Sequence, residues 1–316
     1  MNVWEFIKEK RSSSQTVMLL VVLESEGSSP GRKGFKMAVA GDDSFFGTIG
    51  GGIMEYKLVE KAKAMLLQNE KRVLLMRQHH DKEHHTNQSG MICSGSQLNA
   101  FIPLLTSDEQ GIEKIILEEK NTIQLSPKGL ELTDSPAGKL QYKSDMDWIY
   151  TEPVKHQPII HIIGGGHVGL ALSELMNFVG FYIKLYDDRP DLNTVTANSF
   201  AHEKHIVNYE NIDAYFKEMP EDYIVIMTIG YRTDKIVLKQ LMGKPFFYLG
   251  LLGSDHKIKT LIKELENEGL SEEAVKNIHA PVGINIFSKT SKEIAVSIAA
   301  EIIREKNRGL PTGRDY

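Results

Sequence analysis

The stretch Gly164-Gly165-Gly166-His167-Val168-Gly169 restricts the fold of this chain more than any other part of it. A short isoleucine-rich run, Ile159 to Ile163, interrupted only by His161, leads into it, and helix-spaced apolar residues continue from His167 to Val179. A strand that turns on closely spaced glycines straight into a helix is the opening of a βαβ unit. Beyond it the patterns alternate. Phe181 to Tyr186, Ile206–Val207, Tyr223 to Thr228 and Phe246 to Leu252 read as strands. Asp234 to Met242 and Asp255 to Glu268 read as helices, with a short helix near Ser271 and a final one over 291–308. Such alternation predicts a parallel sheet, here a Rossmann-like one.

Each glycine of the turn has a predicted task. Gly164 permits the tight bend, Gly166 lets a phosphate approach the backbone, and Gly169 lets helix and strand pack closely. The free N–H groups at the helix start favour anionic oxygen, and His167 stands beside them, near a phosphate or facing solvent. Asp187, at the end of the next strand, is placed to accept a ribose hydroxyl. Arg189 leaves two options open: accommodating a 2′-phosphate, or pairing with Asp187, Asp188 or Asp191. Three later loops, 228–234, 250–254 with Ser254, and 279–283, fall at expected strand C-termini, where ligands bind in such sheets.

The first half reads differently. A helix over 3–10, a buried strand from Val17 to Leu23, a strand pair at Met37–Val39 and Phe45–Ile49, a helix from about Ile53 to Gln68, and strands at Arg72–Met76 and Leu98–Leu105 suggest a smaller α+β domain. Leu98–Leu105 is expected to close its sheet. From Thr106 to about Gln157 the pattern weakens into polar segments, hairpin-like edges or a connector. The expected domains are therefore 1–153 and 154–316. Two glycine-rich loops, 27–34 with Arg32 and 47–52 with Gly50, Gly51 and Gly52, suggest close backbone approach to a ligand. A glycine costs about 1 kcal/mol relative to alanine inside a regular element. Neither loop is a P-loop, since no Gly-Lys-Ser/Thr follows.

Composition trims the function classes. A formal net charge of −5 without a long basic run gives no pull toward nucleic acid. No apolar stretch near the N-terminus is long enough for a membrane span, and no secretory signal is visible, so a cytoplasmic protein is expected. The single cysteine, Cys93, rules out an internal disulfide, and its glycine and serine neighbours make it a candidate reactive thiol. His79, His80, His84 and His85 lack a recognised zinc spacing and read as a solvated loop, so no metal site is expected.

Together these motifs resemble the XdhC/CoxI family of xanthine dehydrogenase accessory factors. The resemblance rests on Gly27-Ser28-Ser29-Pro30, Gly34-Phe35-Lys36-Met37, Gly47 to Gly52 with Glu55, and Gly90-Met91-Ile92-Cys93. It continues through Gly164 to Gly169, Asp187-Asp188-Arg189-Pro190, Gly250 to Ser254, His279 to Gly283 and the final helix. The resemblance implies a chaperone that binds molybdenum cofactor and assists its sulfuration and insertion. Its implied partners are a molybdenum hydroxylase client and a cysteine desulfurase. With the apolar face of the final helix, the resemblance also points to a homodimer. Ser94 stands where many members have glycine, and Gly165 stands where alanine is common, a replacement expected to have no consequence. The competing reading is an NAD(P)-dependent oxidoreductase, for which no hydride-transfer set is evident.

Overall fold

A computed structural model describes residues 1–27, 29–79, 95–118, 122–138, 140–154, 156–217, 219–269 and 275–308. The chain forms two compact units that divide between His156 and Gln157.

In the first unit, helix α1 (Val3–Ser12) is started by an Asn2–Glu5 capping box. Strands β1 (Val17–Gly27), β2 (Lys36–Ala40) and β3 (Phe45–Gly47) precede helix α2 (Gly52–Leu67), and β4 (Leu74–His79) and β5 (Gly95–Leu104) follow it. They make an antiparallel sheet of order β3-β2-β1-β5-β4. Strand β1 is buried on both faces because each has its own cover. Met18, Leu20 and Val22 pack with Met54, Leu58 and Ala62 of α2. Val17, Leu19, Val21 and Leu23 pack with α1 and with the residues beyond β5.

One expectation needs correction here, and one choice left open is decided. Leu98–Leu105 does not close the sheet: β5 lies between β1 and β4, and β4 is the edge. Of the two options for the weak-patterned region after 105, the hairpin-like one holds and the connector does not. The region contains helix α3 (Glu109–Ile116) and strands β6 (Thr122–Ser126), β7 (Gly129–Thr133), β8 (Gln141–Ser144) and β9 (Asp147–Pro153), paired antiparallel as β7-β6-β9-β8. Its apolar side, Ile123, Leu125, Leu130, Trp148 and Tyr150, joins the core under β1.

The second unit is a six-stranded, wholly parallel sheet of order β12-β11-β10-β13-β14-β15. Its elements are β10 (Ile159–Ile163), α4 (His167–Phe178), β11 (Tyr182–Asp187), α5 (Asn193–Thr196), β12 (Glu203–Ile206), β13 (Met219–Ile226), α6 (Tyr231–Leu241), β14 (Phe246–Leu251), α7 (Asp255–Asn267), β15 (Ile278–His279) and α8 (Ser291–Lys306). The chain runs outward from β10 to one side through β11, then crosses to β13 on the other, so the sheet reverses direction at β10. The helix expected near Ser271 lies outside the described residues. One of the two grounds for a homodimer falls: Ala295, Ile298, Ala299 and Ile302 of α8 are buried in this unit's own core with α4 residues, so that face is not free for a second copy. Among the described residues no helix is long and apolar enough to cross a membrane.

Candidate functional site

Strands β10, β13 and β14 all end on one edge of the parallel sheet, and the glycine turn lies there at the reversal point. The Gly164 N–H donates to the Tyr186 carbonyl at 2.8 Å. Gly164 has φ of +118°, and a Cβ on it would lie 2.2 Å from the Met227 carbonyl oxygen. A Cβ on Gly169 would lie 2.2 Å from the Gly164 carbonyl oxygen. These two glycines are thus required by the protein's own packing. Gly166 is different. Its φ of −69° suits any residue, and a Cβ there would meet nothing within 4 Å. It is the N-cap of α4, and no side chain caps that helix, so the first N–H groups lack an intrachain acceptor of that kind. His167, next along, is exposed.

Gly165 carries the first correction at the site. A Cβ there would lie 2.2 Å from Val195 Cγ2, so alanine is not a neutral replacement in this chain. The Thr194 hydroxyl also donates to the Gly165 carbonyl, pinning α5 onto the turn.

Asp187 carries the second. Its side chain is fully buried, and Oδ2 accepts from Gly165 N at 2.7 Å and from an Arg189 guanidinium nitrogen at 2.9 Å. Oδ1 accepts from the Arg189 backbone N–H at 2.9 Å and from its Nε at 2.8 Å. Burial raises the carboxyl's pKa. The Arg189 guanidinium and the backbone amides of Gly165 and Arg189 outweigh it, leaving the pKa below its ordinary value. The acid expected at a ribose hydroxyl instead ties β11 to the glycine turn, and Arg189 takes the salt-bridge option.

The same edge holds the ends of the expected loop 228–234, joined to a residue that sequence reasoning missed, Lys257. Asp234, fully buried, accepts from Thr228 N at 2.9 Å and from Thr228 Oγ1 at 2.6 Å. Its other oxygen accepts from Lys257 Nζ. A Cβ on Gly164 would come within 3.0 Å of Thr228 N, so this cluster abuts the turn. Lys257 lies in the first turn of α7, where a cation faces the positive end of the helix dipole. That unfavourable placement was the signal available in the sequence. Ser254 is the N-cap of α7, its Oγ accepting from Lys257 N at 3.3 Å.

In the first unit the two glycine loops mainly serve each other. A Cβ on Gly31 would lie 2.2 Å from the Ile49 carbonyl oxygen, and one on Gly50 would lie 2.6 Å from Gly31 N. Glu55 Oε2 accepts from Thr48 Oγ1 at 2.6 Å, Ile49 N at 2.8 Å and Gly51 N at 2.9 Å. The close approach expected at Gly50 is therefore to the chain's own backbone, and the loop amides already hold a carboxylate. Gly51 has open space where a Cβ would be, and Gly52 is exposed. Arg32 is half-buried. Beneath the loops Gln97 donates to the Ile49 carbonyl at 2.9 Å and accepts from Ser29 Oγ at 2.9 Å. Among the described residues, neighbouring Gln78 Oε1 and Asn99 Nδ2 are buried without a hydrogen-bond partner. Cys93, Ser94 and His80 to His85 lie outside the described residues. Among the described residues no cluster of His, Cys, Asp or Glu is placed to hold a metal ion.

Comparison with known proteins connects both units to one group. Residues 160–302 match the XdhC Rossmann domain, and residues 11–77 match the XdhC and CoxI family. The Escherichia coli K12 protein YqeB, described as uncharacterized, is 26% identical over 311 residues, 97% of this chain and 47% of that protein. A Bacillus subtilis 168 protein described as a probable xanthine dehydrogenase subunit is 27% identical over 160 residues, 51% of this chain and 46% of that one. The chain spans about half the length of these curated relatives. A Bacillus halodurans protein described as a xanthine dehydrogenase superposes with a TM-score of 0.79 over 99% of this chain and 98% of its own, at 22% identity. That likeness is one of fold. With a matched segment in each of its two units, the chain belongs to the XdhC and CoxI family.

Proposed function

We propose that this chain is an accessory protein of a xanthine dehydrogenase-type molybdenum hydroxylase. In this reading it binds molybdenum cofactor and assists its sulfuration and insertion into that client. Family membership and the names carried by its relatives support the accessory role. The observation that carries the binding role is Gly166, a fingerprint glycine required neither by φ nor by packing. An open position beside the uncapped start of α4 fits a phosphate, the group that terminates the pterin part of molybdenum cofactor. Gly164 and Gly169 hold the turn's shape, and Gly166, with the N–H groups that follow it, would meet the phosphate. When bound, the cofactor supplies the redox chemistry of the client enzyme. This chain's residues bind, orient and shelter it. A cysteine desulfurase and a second copy of the chain complete the proposed set of partners.

Purification from cells that make the cofactor tests the reading, with bound pterin measured by the fluorescence of its oxidised form. The expected result is near-stoichiometric pterin, reduced about tenfold or more by Gly166→Asp, which puts a negative charge where the phosphate belongs. Folded protein that takes up no pterin at micromolar cofactor would rule the reading out.

A further inference from the structure

We infer that the crevice over the Gly164–Gly169 turn takes its ligand through phosphate alone and rejects a ribose. The Asp187 carboxylate that would read ribose hydroxyls is already committed to Arg189 and Gly165. This rests on the reading of the turn as a phosphate cradle given above.

In a dinucleotide site of this fold the acid after the second strand accepts the ribose hydroxyls, or a nearby arginine takes the 2′-phosphate. A carboxylate offers about four lone-pair positions. Asp187 has four donors on them: Gly165 N, Arg189 N, Arg189 Nε and an Arg189 terminal nitrogen, all within 2.9 Å. A ribose diol would have to displace a guanidinium from a fully buried carboxylate. The 2′-phosphate alternative is closed by the same pair. Arg189 is held by Asp187 and has the Asp188 carboxylate 3.7 Å from its Nε, so a second anion there would meet both acids.

The cover over the turn gives independent support. Val195 Cγ2 occupies the space beside Gly165, and Thr194 is bonded to the Gly165 carbonyl, so the chain leaving β11 lies against that side of the turn. Gly166 has no neighbour within 4 Å where its Cβ would be. Space is therefore open at one glycine and filled at the next. The ligand class this selects is a phosphate monoester or pyrophosphate whose remainder leaves on the Gly166 side, away from Val195 and Thr194.

Calorimetric titration of the full chain with pyrophosphate, phenyl phosphate, NAD+ and NADP+ tests this. Pyrophosphate and phenyl phosphate are expected to bind, with NAD+ and NADP+ binding no tighter than pyrophosphate. Arg189→Ala frees the carboxylate, and NAD+ should then gain about tenfold relative to pyrophosphate, the worth of a charged hydrogen bond to a ribose hydroxyl. Wild-type binding of NAD+ or NADP+ at least tenfold tighter than pyrophosphate would overturn the inference while leaving the phosphate cradle standing. If neither pyrophosphate nor phenyl phosphate binds the folded protein, the cradle falls, and this inference with it. Should Arg189→Ala not fold, the wild-type ratio of NAD+ to pyrophosphate affinity decides alone.

Discussion

Neighbouring glycines of one turn differ in what they are for, and substitution separates them. Gly164→Ala puts a side chain at a left-handed φ against the Met227 carbonyl, and is expected to destabilise by about 2 kcal/mol or more. Gly165→Ala drives into Val195 and should cost roughly 1–3 kcal/mol. Gly166→Ala meets open space at an ordinary φ, so its stability should stay within about 0.5 kcal/mol of wild type. Thermal unfolding of the set checks the order; equal losses at all three positions would contradict the packing argument. Asp187 adds a pH dependence of defined sign. Its folded pKa is lowered, so its contribution to stability is complete above the unfolded value, about 3.9, and is lost as pH falls through the folded value. Asp187→Asn should therefore be less stable than wild type at pH 7, and the gap should narrow on acidification below about pH 4. Parallel stability curves would show that the carboxylate is not ionised in the fold.

At the scale of elements, the start of α2 depends on one side chain. Glu55 gathers Thr48 Oγ1, Ile49 N and Gly51 N, substituting for the capping side chain that Gly51 lacks. Glu55→Ala should cost about 2 kcal/mol and speed hydrogen exchange at the Ile49 and Gly51 amides. Unchanged exchange there would mean the loop holds itself. Elements also mark what the sequence could and could not tell. The Rossmann half was legible because its buried parallel strands, such as Ile159–Ile163 with four isoleucines around His161, are mostly apolar runs between glycine punctuation. The sheet β6–β9 was anticipated only as hairpin-like edges, one of two options, because its strands are short. Trp148 and Tyr150 of β9 alternate with exposed Asp147 and Ile149, β6 is buried at every position but half-buried Gln124, and β8 is exposed throughout. That period of two was present, but too brief to stand out from polar loops. The site was half legible. The fingerprint placed the turn, but spacing alone did not reveal that Asp187 points back into it. The Asp234–Lys257 pair joins residues of two different helices, so the sequence could flag Lys257 by its place at a helix start but not name its partner.

For the whole molecule, the hydrophobic clusters divide as the units do. Two clusters draw only on residues before the His156–Gln157 division and two only on residues after it. A core that closes within its own segment is the condition for folding as a domain. Scanning calorimetry of the intact chain should therefore resolve two transitions. Gly164→Ala should lower one and Glu55→Ala the other. A single transition shifted alike by both substitutions would refute the division.

The close approach of Gly164 to Thr228 has one more consequence. A Cβ-less contact with no slack behaves as a rigid strut: the turn cannot recoil from an incoming group without moving the end of β13. From Thr228 the displacement has a hydrogen-bonded route into α6 through Asp234 and on to Lys257 in α7. Occupancy of the turn should therefore be audible far from it, as shifted amide resonances of Thr228 and Asp234 on titration with pyrophosphate. Amides in the distant half of β12 should stay silent.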